Sequence, residues 1–264
     1  MTEAARARAL PLILTGIATG VFSGLFGVGG GVIMVPALAM LTTMSRKRIS
    51  GTSLAAIAPM AIVGVVSYGS QGNVDLAAAA LLAVGAVVGA QLGTWLLERL
   101  PTPIVRWLFI AFLLLVVFEL VTSIPSREQS FTLTVGAAFA FAGVGLVTGV
   151  LSGLLGIGGG VIVVSVLMLL FGFTDLVAKG TSLAMMIPTA VSGTIGNLRR
   201  GNVDMRAGML LGITACFTTV LGTWIAQALD PQVANWLLAA FLGVILLQLV
   251  GSEVQRIRRK DIGE

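Results

Sequence analysis

The sequence predicts an all-α integral membrane protein made of two inverted-topology repeats. Each repeat is a glycine-broken helical hairpin followed by three transmembrane helices, about ten helical segments in all. Three observations carry this prediction. The 264 residues are 57% hydrophobic with 34 further glycines and only 10% charged, where a soluble chain carries roughly 25% charged residues. The mean hydropathy is +1.04. The chain also repeats itself at a constant offset of 129 residues. So little polar surface cannot cover a water-soluble sphere, and lipid must act as the solvent.

The repeat defines the organisation. Residues 16–35 align with 145–164, and fourteen of the twenty positions are identical. The offset then continues without a gap. Gly51-Thr52-Ser53-Leu54-Ala55 matches Gly180-Thr181-Ser182-Leu183-Ala184, and Pro59 matches Pro188. Gly72-Asn73-Val74-Asp75 matches Gly201-Asn202-Val203-Asp204, Gly93-Thr94-Trp95 matches Gly222-Thr223-Trp224, and Trp107 matches Trp236. The whole of 1–264 therefore reads as one membrane domain with repeats at about 11–124 and 136–251, joined by a link containing residues 124–130.

Taken in order, the apolar runs give the elements. Runs 50–69, 76–97 and 104–123, then 178–198, 206–228 and 233–250, each have about the 17–25 residues that a crossing helix needs. Runs 11–43 and 132–172 are too long for one span, and both are broken by Gly-x-Gly-Gly-Gly. Each glycine weakens a helix interior by about 1 kcal/mol, so three in succession interrupt it. The N-terminal arginines ahead of Leu10-Pro11-Leu12 imitate a signal peptide, but the apolar stretch continues and recurs in the second half, which favours mature membrane protein.

Basic residues choose between two topologies. If each long run crosses once, ten basic residues lie inside and six outside. If each is a hairpin returning to its own side, the count becomes 14 inside and 2 outside. The positive-inside rule selects the hairpin, with both termini cytoplasmic and the chain multi-pass in the plasma membrane. Three crossings per half turn the second half upside down, an arrangement suited to alternating access.

The net charge of +5 sits in short clusters between apolar runs, which is topology chemistry and excludes nucleic acid as a partner. There is no histidine and a single cysteine, Cys216. Those absences leave no metal site, catalytic dyad or cofactor to expect, and the chain reads as a non-enzyme. No charged residue falls near the centre of a span. Glu119 lies near the end of one, and its repeat equivalent is Gln248, so no symmetric coupling acid is visible.

The chemistry is expected at the two bends, Gly27-Val28-Gly29-Gly30-Gly31 and Gly156-Ile157-Gly158-Gly159-Gly160. The arm after each bend starts a new helix, whose free N–H groups and dipole favour an anion. Two such ends approaching from opposite faces would bind a small anion without any buried cation. Ser23 and Ser152 precede the bends and offer hydroxyls. Thr52, Ser53, Thr181 and Ser182, upstream of Pro59 and Pro188, offer more. The competing reading makes the glycines a device for close helix packing. It makes the Thr-Ser pairs helix-start caps. Asn73, Asp75, Asn202 and Asp204 read as turn and N-cap residues. Trp107 and Trp236 read as interfacial anchors, and Lys179 as a loop-end lysine at the outer mouth.

Residues 23–36 (Ser-Gly-Leu-Phe-Gly-Val-Gly-Gly-Gly-Val-Ile-Met-Val-Pro), followed by Gly-Thr-Ser-Leu at 51–54 and Gly-Asn-Val-Asp at 72–75, resemble the sulfite exporter TauE/SafE family. The resemblance covers nearly the whole chain, because both halves carry the set; one departure is that Pro36 is replaced by Ser165 in the second half. It implies a membrane permease for sulfite, a sulfonate or a related sulfur anion; export by alternating access is expected because an interior-negative potential favours anion exit, while the residues themselves do not fix the direction. An anion channel, or an accessory subunit of a membrane complex, is the alternative. Neither the molecule, the coupling ion nor the oligomeric state follows from the sequence.

Overall fold

The computed structural model describes residues 9–122, 135–233 and most of 236–251. The link at 124–130, Arg6, Arg8, Gln248 and the basic residues beyond 251 lie outside the described residues, as does the side chain of Glu119. Nine helices are delimited among the described residues: α1 (Ala9–Phe26), α2 (Gly31–Leu41), α3 (Arg46–Gly69), α4 (Leu76–Arg99), α5 (Thr102–Thr122), α6 (Val135–Leu155), α7 (Gly160–Phe171), α8 (Asp175–Arg199) and α9 (Met205–Ala228). Further helical residues fall between 231 and 251. The all-α membrane class is therefore right, and the breaks fall at the two glycine runs.

Helix α2 has 11 residues and α7 has 12. At 1.5 Å per residue each spans only about 17–18 Å, too short to cross a core of about 30 Å. Four of the longer helices, α3, α4, most of α6 and α9, are long and apolar enough to cross. Their outward faces carry an apolar belt that includes Val84, Val88, Leu92, Phe139 and Phe217, all well exposed. Trp95, Trp107, Trp224 and Trp236 are exposed as well, as interfacial anchors are.

The starts of α3 and α8 lie a few residues upstream of the expected spans. Ser45 caps α3 by accepting from the Arg48 amide, and Thr174 caps α8 by accepting from the Val177 amide. Thr52-Ser53 and Thr181-Ser182 are therefore not helix-start caps; they lie in the second turn of each helix. Asp75 and Asp204 are N-caps of α4 and α9, accepting from the amides of Ala78 and Ala207, as their turn composition predicts.

The arms of the hairpins dock on helices of the opposite half: α6 packs along α4, and α1 along α9. The seams are lined by small residues at four-residue spacing. Gly145, Gly149 and Gly153 of α6 meet the backbone of Leu82, Ala86 and Ala90, while Gly85, Gly89 and Gly93 of α4 meet Ala142, Leu146 and Val150. The second seam pairs Gly16, Gly20 and Gly24 of α1 with Leu211, Ala215 and Thr219 of α9. Lipid tails are as apolar as the side chains, so association here depends on close backbone approach, which a Cβ at these positions would prevent. Helices α3 and α8 pack against each other between the seams.

Candidate functional site

The bends are built by glycines in the left-handed region. Gly27, Gly29 and Gly30 have φ between 66° and 68°, and Gly156, Gly158 and Gly159 between 74° and 88°. A side chain there costs roughly 1–2 kcal/mol before any clash. Gly30 and Gly159 are the N-caps of α2 and α7, and neither helix has a side-chain cap. Beyond the bends, the first amides to find a backbone acceptor are Ile33 and Val163, both on the capping glycine's carbonyl. The amides of the opening turn, Gly31 and Val32 or Gly160 and Val161, are therefore the positive end of each helix dipole.

The two bends meet. A Cβ on Gly31 would come within 2.6 Å of the Gly156 carbonyl oxygen, and one on Gly160 within 2.8 Å of the Gly27 carbonyl oxygen. Their meeting place lies against the middles of α3 and α8. Ile57 and Met186, repeat equivalents of one another, cover it: the Met186 methyl faces Gly29, Gly158 and Gly160, and Ile57 faces Gly29 and Gly158. In this arrangement the space between the helix starts is filled by the Met186 thioether. Met186 is a long, unbranched side chain able to change rotamer.

The contacts between the halves are reciprocal. Ser53 Oγ donates to the Gly156 carbonyl, and Ser182 Oγ donates to the Gly27 carbonyl at 3.0 Å. Ser182 Oγ also reaches the Gly160 carbonyl at 3.3 Å. The Asp204 amide donates to Thr52 Oγ1 and the Asp75 amide to Thr181 Oγ1, each at 2.9 Å. A Cβ on Gly27 would come within 2.6 Å of Lys179 Cα, and one on Gly156 within 2.5 Å of Ser50 Cα. Apart from the Ser182–Gly160 contact, which lies within the second half, each contact is the 129-residue image of its partner. Each bend is thus held by the central helix of the opposite half.

This geometry sorts the six hydroxyls named by the sequence. Ser53 and Ser182 are committed to bend carbonyls. Thr52 and Thr181 accept the amides of the loops that open α9 and α4. Ser23 and Ser152 are different. Both are fully buried, and neither Oγ has a hydrogen-bond partner. A buried hydroxyl left unpaired costs about 1–3 kcal/mol, so two at repeat-equivalent positions call for a reason. Thr19 lies one turn before Ser23 on the same face, and its Cγ2 is what a Cβ on Gly30 would strike; Ser23 therefore sits on the face of α1 turned toward the start of α2. Thr148 and Ser152 stand likewise toward Gly159, whose Cβ would come within 2.9 Å of the Thr148 carbonyl oxygen.

Thr19 and Thr148 belong to this neighbourhood and were not singled out from sequence, although both precede the bend serines by four residues. Thr19 Oγ1 is buried without a partner, whereas Thr148 Oγ1 donates to the carbonyls of Val144 and Gly145.

Lys179 is not at a loop end. It lies in the second turn of α8, its side chain 4% exposed, with Nζ 3.2 Å from Asp175 Oδ2, itself 2% exposed. Nearby, Tyr68 Oη donates to the Gly24 carbonyl at 2.6 Å, one turn ahead of the first bend. At the equivalent place in the other half, a cavity of about 30 Å³ is lined by Arg46, Ile49, Ser50, Leu154 and Leu155. It runs from the basic start of α3 toward the second bend.

The family model described as Sulfite exporter TauE/SafE matches residues 2–120 and again 141–262. Among curated proteins, the chain is 26% identical to Probable membrane transporter protein YunE of Bacillus subtilis, covering 90% of this chain and 96% of that one. It is 26% identical to Probable membrane transporter protein YdhB of the same organism, covering 89% and 99%. A Probable membrane transporter protein of Haemophilus influenzae is 30% identical over 71% of this chain and 69% of its own length. No solved structure matches.

Proposed function

Because the chain belongs to the sulfite exporter TauE/SafE family and is a multi-pass membrane transporter, we propose that it carries a small sulfur-containing anion, such as sulfite or a sulfonate, out of the cell across the plasma membrane. The observation that carries this reading is the convergence of two uncapped helix N-termini with the buried, unpartnered hydroxyls of Ser23 and Ser152. Amides and hydroxyls replace the hydration shell of an oxyanion, and two half-dipoles offset its charge without a buried cation. Gly27, Gly29, Gly30 and Gly31, with Gly156, Gly158, Gly159 and Gly160, let the backbone itself be the ligand. Ser53, Ser182, Thr52 and Thr181 hold the bends and the loops around it.

We further propose that the halves are inverted, with both termini cytoplasmic. The reciprocal contacts across the bends support a two-fold relation between the halves. The ends of the fold also differ in charge. Lys47 pairs with Glu98 at 2.8 Å, Asn202 also bonds Glu98, and Arg48 pairs with Asp204 at 3.1 Å. The start of α3, the end of α4 and the turn before α9 thus gather at one basic end, which the positive-inside rule makes cytoplasmic. Rocking the halves about the bends exposes the site to either side in turn. A cell interior negative by 100 mV favours exit of one negative charge by about 2.3 kcal/mol, enough to drive export without a coupling ion.

Purified protein should be stabilised against heat by one or more of sulfite, sulfate, thiosulfate, taurine and sulfoacetate. In liposomes, flux of that anion should follow an imposed potential, persist without a proton or sodium gradient and show saturable counterflow. Counterflow separates a carrier from a channel. Accumulation against the electrochemical gradient, driven by protons or sodium, would refute the uncoupled mechanism.

A further inference from the structure

Away from the bends, an open lateral groove of about 530 Å³ is lined by Val87, Val88, Gln91, Leu92 and Trp95 of α4 and by Arg200 at the end of α8. Its walls are apolar, and Val88 and Leu92 are about half exposed. Gln91 is already satisfied: its Nε2 donates to the Ser192 carbonyl at 2.6 Å and to Ser192 Oγ at 2.9 Å. The cations lie at one end. Arg200 Nη1 donates to the Gly196 carbonyl at 2.6 Å and to Thr94 Oγ1 at 3.2 Å, which holds the guanidinium at the groove mouth. Arg99 stacks on Trp95, its Cζ 3.9 Å from the ring centroid. The neighbouring acid, Glu98, is engaged by Lys47 and Asn202.

The other half supplies an internal control. Trp224 is the repeat equivalent of Trp95, but the equivalents of Arg200 and Arg99 are Gln71 and Ala228. The tryptophan recurs and the cations do not.

We propose that this groove binds a phospholipid with an anionic headgroup. An acyl chain lies along Val87, Val88 and Leu92, and the phosphate is held at Arg200 and Arg99. Guanidinium groups recognise phosphate with two parallel hydrogen bonds. Tryptophan favours headgroup depth, and basic pockets between transmembrane helices take anionic headgroups. Charge selects lipid over a second copy, since a two-fold contact at this groove would bring the same two arginines together.

Native mass spectrometry of the full chain in detergent tests this, with phosphatidylglycerol and phosphatidylcholine of matched acyl chains and inorganic phosphate alone as a third arm. Phosphatidylglycerol should be retained over phosphatidylcholine by on the order of tenfold, and free phosphate should not bind. Arg99→Gln with Arg200→Gln should abolish the preference, while Arg199→Gln keeps it. Should the double variant fold poorly, Val88→Trp leaves both cations and fills the wall, and should reduce retention of phosphatidylglycerol. Equal retention of the two lipids by the wild type, an unchanged preference in the double variant, or a dimer that covers the groove would overturn the proposal.

Discussion

Residues 46–50 and 175–179 occupy equivalent places in the two halves and differ in electrostatic character. Both segments open the central helix of their half, and both press a backbone Cα against the opposite bend, Ser50 on Gly156 and Lys179 on Gly27. At the start of α3, Arg46, Lys47 and Arg48 form a basic cluster, and the Lys47 and Glu98 side chains are 40% and 33% exposed. At the start of α8, Asp175 and Lys179 form a pair almost wholly withdrawn from solvent. The glycine and hydroxyl contacts survive the duplication, and the charges do not. Backbone geometry answers to the fold, which is the same in both halves. Charge answers to the side of the membrane, which differs between them in the inverted arrangement we propose.

The largest expected effect tests what the halves share. Gly30→Val or Gly159→Val puts a branched side chain at positive φ, against Thr19 in the first case and the Thr148 backbone in the second. Either should abolish anion binding and flux. The same change at Gly243, where a Cβ meets nothing within 4 Å, should leave both near wild type. Full flux in Gly30→Val would make the bends packing features only.

Next comes the point at which the halves differ. Asp175→Asn removes the carboxylate charge that pairs with the buried Lys179 ammonium and should lower stability by about 3–5 kcal/mol, read as a fall in thermal midpoint in detergent. The double replacement Asp175→Leu with Lys179→Met should recover most of that loss, because apolar residues can replace a buried ion pair at little cost. Lys47→Met, at a partly exposed pair, should cost no more than about 1 kcal/mol.

The serines sharpen the comparison within each half. Ser23→Ala and Ser152→Ala remove hydroxyls with no partner, so stability should hold or rise while anion affinity falls roughly tenfold, as for a lost hydrogen bond to a charged group. Ser182→Ala breaks the bond to the Gly27 carbonyl and should show the opposite pattern, lower stability ahead of any specific loss of affinity. Titration calorimetry with thermal unfolding on the same preparations separates the two outcomes. The smallest effect belongs to the caps. Asp75→Ala should cost about 1 kcal/mol, and Asp204→Ala somewhat more, because Arg48 is also released.

Much of this was legible in the residues. The offset of 129, the broken helices and the caps at Asp75 and Asp204 follow from spacing and from glycine and aspartate chemistry. The division of labour among the hydroxyls does not. Thr52 and Thr181 look like donors near a cavity, but each accepts an amide from a turn about 106 or 152 residues away. No local pattern encodes that pairing; it depends on how the halves interlock. The Asp175–Lys179 pair was hidden for a related reason. An i, i+4 pair near a helix start reads the same on a wet surface as in a buried seam, and only the packing of α8 beside Tyr68 and the first bend distinguishes them. The mutual approach of the bends could be expected from the hairpins, whereas the identity of Met186 and Ile57 as their cover required the fold.

The inverted relation of the halves is most directly tested at Asn73 and Asn202, which occupy the same place in the repeat. The Asn73 carbonyl lies against Gly180 near the start of α8, and the Asn202 carbonyl against Gly51 near the start of α3. In a Cys216→Ala background, Asn73→Cys and Asn202→Cys should each be labelled by a membrane-impermeant maleimide applied to intact cells or to inverted vesicles. Position 73 should be labelled from outside only and position 202 from inside only. Labelling of both from the same face would contradict it.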